Sequence, residues 1–393
     1  MAAGLPLRLA CGVIALGLLA WSGLPGDAAG QDTRVPQTAL SLCPALTVVS
    51  REDVPIGTAI AVSPDGRRLA RYIHTTLGAE LKIRDRETGE ERRARLDPPQ
   101  LPPGFGWQIH GVTFSATGEL VAVRSVGAIW VLAADTAEVR YQVSYDAEKQ
   151  AYPGKASLAG GQLAVSFWLP ESYLADAVAK KPVEVRFYEA ASGKLLRSIS
   201  LALDSANQWT EIVISPDATR LAILLRATRW PGRARLALFA AEDGKVLWER
   251  KIGAEDLAWS SDGKSLIVLG GELSWLDAAT GNKRRGAERT LRFSESQSLR
   301  ASEAGKLAVG QFSRYNPIKR GLNLDDRRDS RVLVWRLDPG RALCELTPRE
   351  SEGSDVWPTS GGELLALEQR YEVRPPLRLL RGAVLVTYRL NAP

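Results

Sequence analysis

Seven copies of one pattern run along the chain: a small polar turn leads into an apolar strand, and a second strand with its own turn follows. The copies stand roughly 40–60 residues apart, a spacing typical of propellers and solenoids. The chain is therefore predicted to be a repeat protein. The turn and the strand after it read SPDGRRLA from Ser63, SATGELVAV from Ser115, AGGQLAV from Ala159, SPDATRLAI from Ser215, SSDGKSLIV from Ser260, EAGKLAV from Glu303 and SGGELLAL from Ser360.

Each turn has a chemical cause. In the first copy Pro64 presets the first corner, Asp65 can cap the turn, and Gly66 accepts a positive φ. Apolar segments on both sides of the turn indicate a β-hairpin. The second half of each copy adds another strand, and most copies then add a short outer one, such as KLLRSIS or KVLWER. Four strands per copy and seven copies predict an all-β fold, a seven-bladed β-propeller of four-stranded antiparallel blades.

The ring must close, because an open ring exposes sheet edges on its first and last blades. The seventh copy ends after its third strand, at Pro393. The apolar segment ALTVVSRE, Ala45–Glu52, precedes the first turn and can supply the missing strand. We therefore expect the N-terminal strand to complete blade seven.

The SPDG turns resemble those of WD40-like and TolB-type propellers, over about residues 43–393. The resemblance implies the same fold, although no blade carries a Trp-Asp dipeptide and His110–Gly111 reverses the usual Gly-His order. The segments LFAAEDGKVLWER and LSWLDAATGN are similar to repeats of quinoprotein-type propellers, which remain the competing family.

The N-terminus is predicted to carry an export signal. Arg8, the apolar run LACGVIALGLLAW and the small residues GDAAG form the three parts of a secretory signal peptide. This predicts a signal peptide over residues 1–30, a linker over 31–44 and the propeller over 45–393, in the periplasm or outside the cell. An uncleaved N-terminal anchor is the alternative, and no later segment is apolar enough to cross a bilayer.

Cleavage of the signal leaves two cysteines, Cys43 and Cys344. An even number in an exported protein favours a disulfide. Cys43 precedes the closing strand, and Cys344 lies in the predicted outer strand of blade six, so a bridge would lock the ring. Two free buried thiols are the alternative.

Catalytic signatures are scarce. The chain has two histidines, His74 and His110, and none of the common nucleophile, zinc, P-loop or dinucleotide motifs. We predict no catalytic residues, no metal and no cofactor, and interpret both histidines as satisfied by local hydrogen bonds. The acidic run with Asp325, Asp326 and Asp329 lacks the spacing of a calcium loop, and arginines interrupt it. The alternative is a propeller enzyme or redox subunit of the quinoprotein, amine-dehydrogenase or lactonase type, with its site in the central channel.

Function is expected on the face that carries the long connections, which we call the loop-rich face. Connections between second and third strands are long in blades three, four, six and seven, and they share this face with the links between blades. Arginines and aromatic residues together are common anchors of interfaces. We expect a non-catalytic module that binds a protein, a peptide or an anionic cell-envelope component; export argues against nucleic acid, and solvated loops are the alternative. The predicted binding residues are Trp107, Trp168, Arg229, Trp230, Arg233, Arg314, Tyr315, Arg320, Arg370, Tyr371 and Arg374.

Overall fold

In the residues that it describes, the computed structural model consists of strands joined by turns. No helix in the part of the chain described is long and apolar enough to cross a membrane. The structure describes residues 45–54, 59–75, 78–99, 109–149, 151–168, 183–201, 207–227, 234–270, 272–286, 295–302, 306–314, 329–337, 341–346, 355–374 and 377–391.

The strands form seven sheets, each of four antiparallel strands. Blade 1 contains β2 (Ala59–Val62), β3 (Arg68–Thr75), β4 (Gly78–Asp85) and β5 (Glu91–Leu96). Blade 2 contains β6 (Ile109–Phe114), β7 (Leu120–Ser125), β8 (Ala128–Ala133) and β9 (Val139–Ser144). Blade 3 contains β10 (Tyr152–Ala159), β11 (Gln162–Trp168), β12 (Val183–Glu189) and β13 (Leu195–Leu201). Blade 4 contains β14 (Asn207–Ile214), β15 (Arg220–Ala227), β16 (Ala234–Ala240) and β17 (Val246–Ile252).

The remaining blades follow the same order. Blade 5 contains β18 (Ala254–Trp259), β19 (Ser265–Gly270), β20 (Leu273–Asp277) and β21 (Lys283–Gly286). Blade 6 contains β22 (Glu295–Ser302), β23 (Leu307–Arg314), β24 (Asp329–Arg336) and β25 (Arg341–Leu346). Blade 7 contains β26 (Asp355–Pro358), β27 (Glu363–Arg374) and β28 (Leu377–Leu390), and its fourth strand is β1 (Leu46–Val54).

The first strand of each blade is the inner one. The first strands of adjacent blades contact each other at the majority of the blade boundaries, as β10 does with β14, and β14 with β18. The sheets therefore stand around a common axis with their fourth strands outside. The chain is a seven-bladed β-propeller, as the repeats predict.

The N-terminal strand closes the ring. β1 pairs antiparallel with β28, with Leu46 opposite Leu390 and Val54 opposite Ala383. The predicted segment, Ala45–Glu52, differs from the observed strand by one or two residues at each end, and the prediction that it completes blade 7 is confirmed.

Seven apolar clusters hold the blades together, one at each boundary in the part of the chain described. Each joins side chains from two neighbouring sheets, so the core is divided around the ring. Five tryptophans of the strands belong to or pack against these clusters: Trp130, Trp248, Trp259, Trp275 and Trp335. Representative members, from the boundary of blades 1 and 2 round to that of blades 7 and 1, are Tyr72 and Trp130; Ile129 and Phe167; Phe187 and Ile223; Leu236 and Leu266; Ile267 and Trp335; Val334 and Tyr388; Ile60 and Trp357.

In blades 1, 2, 4 and 5 a serine hydroxyl closes the turn between the first and second strands. Ser63 Oγ accepts a hydrogen bond from the N–H of Arg68 at 2.8 Å, and Ser260 Oγ accepts one from Ser265 at the same distance. Ser215 and Ser115 repeat the arrangement. The hydroxyl satisfies a backbone group that the tight turn would otherwise leave unpaired. The connections at this end of the blades are therefore short turns with internal hydrogen bonds.

One connection differs from its prediction. The segment EQRYEVRPPLRLLRG of blade 7 is predicted to be a long loop, yet β27 continues through Arg374 and β28 begins at Leu377, paired with it. Alternating polar and apolar residues sustain a β ladder as well as they populate a surface loop. Arg370, Tyr371 and Arg374 therefore lie on a strand, and the prediction of a loop is wrong here.

Candidate binding site at the loop-side end of the inner strands

Five inner strands carry a β-bulge at the same place. In blades 2, 4, 5 and 6 one extra residue, respectively His110, Thr210, Glu255 and Gln297, interrupts the pairing with the second strand. In blade 3 the pair Gly154–Lys155 opposes the single residue Ser166. Each bulge lies toward the end of the strand opposite its turn, which is the end that meets the loop-rich face. Bulges re-aim the side chains around them.

Charged side chains gather at these bulges. We call the set of His110, Arg124, Lys155, Glu211 and Asp256 the inner-strand charged cluster. Its members come from four consecutive blades and span 146 positions from first to last, since 256 less 110 is 146. The ring brings them together, and no local motif does.

Lys155 is fixed by a buried hydroxyl. Its N–H donates to Ser166 Oγ at 3.0 Å, and the same hydroxyl donates to the Lys155 carbonyl at 3.1 Å. Ser166 is fully buried, so it replaces the backbone partners that the bulge removes. The Lys155 ammonium reaches across to blade 4 and pairs with Glu211 at 3.1 Å.

Arg124 has few partners. It lies on β7 opposite Gly111, and its Nη2 donates to the carbonyl of His110 at 3.5 Å, a long hydrogen bond. No carboxylate among the described residues forms an ion pair with it, although the charge of Glu211 acts on it from farther away. Arg124 is partly buried, and this desolvation lowers the pKa of its guanidinium.

His110 is an exposed residue, and nearby positive charges act on the pKa of its imidazole. Partial burial lowers the pKa of His110 first, and the charges of Arg124 and Lys155 lower it further. Among the described residues, none forms a hydrogen bond with its ring. The interpretation that local hydrogen bonds satisfy this histidine therefore gains no support.

Asp256 joins two blades. Its carboxylate accepts hydrogen bonds from the N–H of Leu257 at 2.8 Å and from the N–H of Leu299, on the inner strand of blade 6, at 2.6 Å. Burial raises the pKa of Asp256 to about 7, and the negative charge of Glu211 adds to the rise. The two backbone hydrogen bonds and Lys155 oppose that rise. The group therefore changes charge near neutral pH.

The cluster is polarised around the ring. Blades 2 and 3 contribute His110, Arg124 and Lys155, whereas blades 4 and 5 contribute Glu211 and Asp256. Within the described ranges no three His, Cys, Asp or Glu side chains converge as metal ligands do. The arrangement offers cationic donors on one side and anionic acceptors on the other.

The residues predicted from the sequence fall partly within the structure. The backbone of Trp168 ends β11 opposite Tyr152, that of Arg314 ends β23 opposite Asp329, and Arg370, Tyr371 and Arg374 lie on β27. Cys43 and the segments 1–30 and 31–44 lie outside the described residues. So do the other predicted binding residues: Trp107, Arg229, Trp230, Arg233, Tyr315 and Arg320.

The inner-strand charged cluster is not among the sites predicted from the sequence, but the sequence contains a signal for it. A polar pair precedes the apolar triplet of the first strand in several blades, as HG before VTF, TE before IVI and ED before LAW. The extra residue of each bulge lies in or next to that pair. Only the folded ring shows that the pairs face one another.

Comparisons with known proteins support the fold. No protein-family model and no curated protein matches the sequence. The structure is similar to a chain in the crystal structure of the mitotic checkpoint complex, with a TM-score of 0.56 and 11% identity, over 93% of this chain and 100% of that one. It is similar to the Dos1 propeller, with a TM-score of 0.54 and 12% identity, over 89% and 96%. It is also similar to Raptor of Chaetomium thermophilum, with a TM-score of 0.59 and 11% identity, over 91% of this chain and 30% of that one.

Identities this low show the shared fold alone. They agree with the propeller implied by the repeats. The assignments to TolB-type or quinoprotein-type propellers stay predictions.

Proposed function

We propose that the chain is an exported, non-catalytic module that binds a protein or peptide partner through its loop-rich face. The observation that carries the proposal is the inner-strand charged cluster, in which a partly buried guanidinium has no ion pair among the described residues at the end of the ring that meets this face. Rigid scaffolds that position charged groups beside long loops are typical of binding proteins.

Two further features support binding. The opposite end of the blades is closed by short serine-capped turns, which leave little room for variable contacts. One of the similar structures is a chain of the mitotic checkpoint complex. The mature protein would meet its partner in the periplasm or outside the cell, because residues 1–30 have the features of a signal peptide.

A second candidate function is an enzyme with its site near the axis of the ring. Asp256 favours it, because a carboxyl group with a pKa of about 7 beside Glu211 resembles a general acid or base. The same shift follows from a structural carboxylate that joins two blades, so binding without chemistry remains the main proposal.

The test is affinity capture from the native cell envelope. The purified protein is compared with a variant in which Arg229, Arg233, Arg320 and Arg374 are changed to Glu. The matched control changes four exposed arginines on outer strands and on β28, at the rim of the ring, to Glu: Arg92, Arg93, Arg140 and Arg389.

We expect a partner that the unmodified protein and the rim variant retain and the loop-face variant loses. Equal capture by all three proteins would contradict the loop-rich face as the working surface. Loss in both variants would point to net charge alone, because both carry the same change of charge.

A further inference from the structure

We propose that blades 2 and 3, beside the bulges of their inner strands, bind a carboxylate of an acidic segment in the partner, with Arg124 of β7 as the main anchor. The inference deepens the proposed function and rests on it. It adds a site that the sequence analysis does not contain, and it names the chemical group that the site recognises.

The first argument is the unused hydrogen-bonding capacity of Arg124. A guanidinium carries five N–H donors, and the described residues supply one long hydrogen bond, to the carbonyl of His110 at 3.5 Å. The residue is partly exposed, so a ligand can reach it. Gly111, opposite on the inner strand, has no side chain to cover the guanidinium. The remaining N–H donors of Arg124 can therefore bind an acceptor group of a ligand.

The second argument is the local electrostatic field. His110 responds to Arg124 and to Lys155, although it lies on a different strand from each. The three groups therefore share one region of positive potential. An anion placed there would be stabilised, and more strongly than in water because the surroundings are partly desolvated.

The charges around Arg124 favour one type of anion. Lys155 is already paired with Glu211, so within the described part of the chain Arg124 is the cation of the cluster that forms no ion pair. One planar guanidinium matches one carboxylate through two parallel hydrogen bonds. Glu211 and Asp256 lie on the next two blades, where they would repel a dianion such as phosphate but could accept N–H groups of a peptide. A singly charged carboxylate on a polypeptide fits both sides of the cluster.

The experiment measures binding of a fluorescein-labelled peptide in which Glu alternates with Gly. Its counterpart has Gln in place of Glu, and inorganic phosphate serves as a competitor. The variants are Arg124→Gln, Arg124→Lys and, as a matched control on an outer strand of the same blade, Arg140→Gln. Binding is followed by fluorescence anisotropy at low salt.

We expect Arg124→Gln to weaken binding of the Glu peptide by at least about tenfold, as the loss of a partly desolvated charge pair should. The affinity of Arg124→Lys for the Glu peptide should lie between that of the unmodified protein and that of Arg124→Gln, because lysine keeps the charge and lacks the planar guanidinium. Arg140→Gln should bind as the unmodified protein does, and the Gln peptide should bind weakly to every form.

An independent readout needs no variant. The chain has two histidines, so proton NMR can follow His110 directly, with His74 as the internal control. Binding of the Glu peptide places negative charge near His110 and should raise the pKa of its imidazole. This measurement still decides the matter if Arg124→Gln does not fold.

Three results would overturn the proposal. One is unchanged affinity in Arg124→Gln, and another is a His110 titration that the peptide leaves unchanged. The third is phosphate displacing the peptide at equal or lower concentration, which would make this a phosphate site. If the charge reversals on the loop-rich face still abolish capture, the proposed function survives the loss of this inference.

Discussion

At the scale of single residues, Asp256 is where burial changes chemistry most. Its carboxylate accepts two backbone N–H groups, one from its own blade and one from the next. Burial nevertheless outweighs these hydrogen bonds and raises the pKa of Asp256 to about 7. A contact between two blades therefore depends on a group that titrates close to physiological pH.

This shift predicts how stability depends on pH. Between about pH 4 and pH 7 the unfolded chain has lost the Asp256 proton while the folded chain keeps it, so the free energy of unfolding falls as pH rises. The loss is complete above the folded pKa and is on the order of 2–4 kcal/mol. Asp256→Asn should remove this fall, because an amide oxygen still accepts the N–H of Leu299 and carries no charge.

The measurement is urea unfolding at pH 5 and pH 8. Asp135→Asn, an exposed carboxyl in a turn of blade 2, is the matched control and should keep the dependence of the unmodified protein. His110 acts in the opposite direction, since a lowered histidine pKa makes stability rise with pH below about 6.5. If Asp256→Asn and the unmodified protein show the same difference between the two pH values, Asp256 does not titrate as the geometry indicates.

Sequence could indicate which residues are polar here but not which are buried. Arg124 stands in the apolar run LVAVRSVG and looks like an ordinary exposed residue of a strand. Its hydrogen-bond partner, His110, is 14 positions away on the same blade, and the charge of Glu211 acts on it from blade 4, 87 positions (211 less 124) away along the chain. Desolvation depends on such neighbours, and a single sequence does not give them.

At the scale of elements, the N-terminal strand serves two blade boundaries at once. Leu46, at one end of β1, belongs to the cluster between blades 6 and 7. Val54, at the other end, belongs to the cluster between blades 7 and 1. Val49, between them, is 47% exposed. The ends of the strand should therefore carry its contribution to stability.

Val54→Ala and Val49→Ala make a matched pair on this strand. Val54 is 5% exposed, so removing its two methyl groups should lower the free energy of unfolding by about 2 kcal/mol. Val49→Ala should change it by less than about 0.5 kcal/mol, as exposed substitutions do. Urea denaturation of both variants decides the question, and an equal loss in the two would mean that β1 does not clamp the ring through Val54.

Local turn chemistry explains why most strands could be predicted. The Ser63, Ser115, Ser215 and Ser260 turns all form as expected, because proline, aspartate, glycine and serine act within a few residues of one another. The loop predicted in blade 7 is wrong because its structure depends on residues that are distant along the chain. Its ladder from Glu363 to Arg374 is held by pairing with β28, and the length of a ladder depends on its partner as well as on its own pattern.

At the scale of the whole molecule, the closure of the ring is shared between hydrogen bonds and packing. β1 and β28 supply the hydrogen bonds, and the cluster between blades 7 and 1 supplies apolar contacts. The topology also places β1 and β25 as the outer strands of neighbouring blades. Ala45 and Leu343 pack against the same cluster, between blades 6 and 7.

The disulfide between Cys43 and Cys344 stays a prediction. Cys43 lies outside the described residues and stands two positions before Ala45, and Cys344 lies on β25 directly after Leu343. A bridge would close a loop of nearly the whole propeller, which theory values at on the order of 5 kcal/mol, with real bridges often giving less. Because β1 already closes the ring without a covalent bond, the reduced protein should stay folded and melt at a lower temperature.

The measurement is thermal unfolding of exported protein with and without dithiothreitol. We expect the reductant to lower the melting temperature of the unmodified protein and to leave Cys43→Ser unchanged at the lower value. Cys344→Ser should match Cys43→Ser, because either substitution removes the same bond. Two titratable thiols in the folded, exported protein would contradict the bridge, and the ring would then depend on the pairing of β1 with β28 and on the apolar clusters alone.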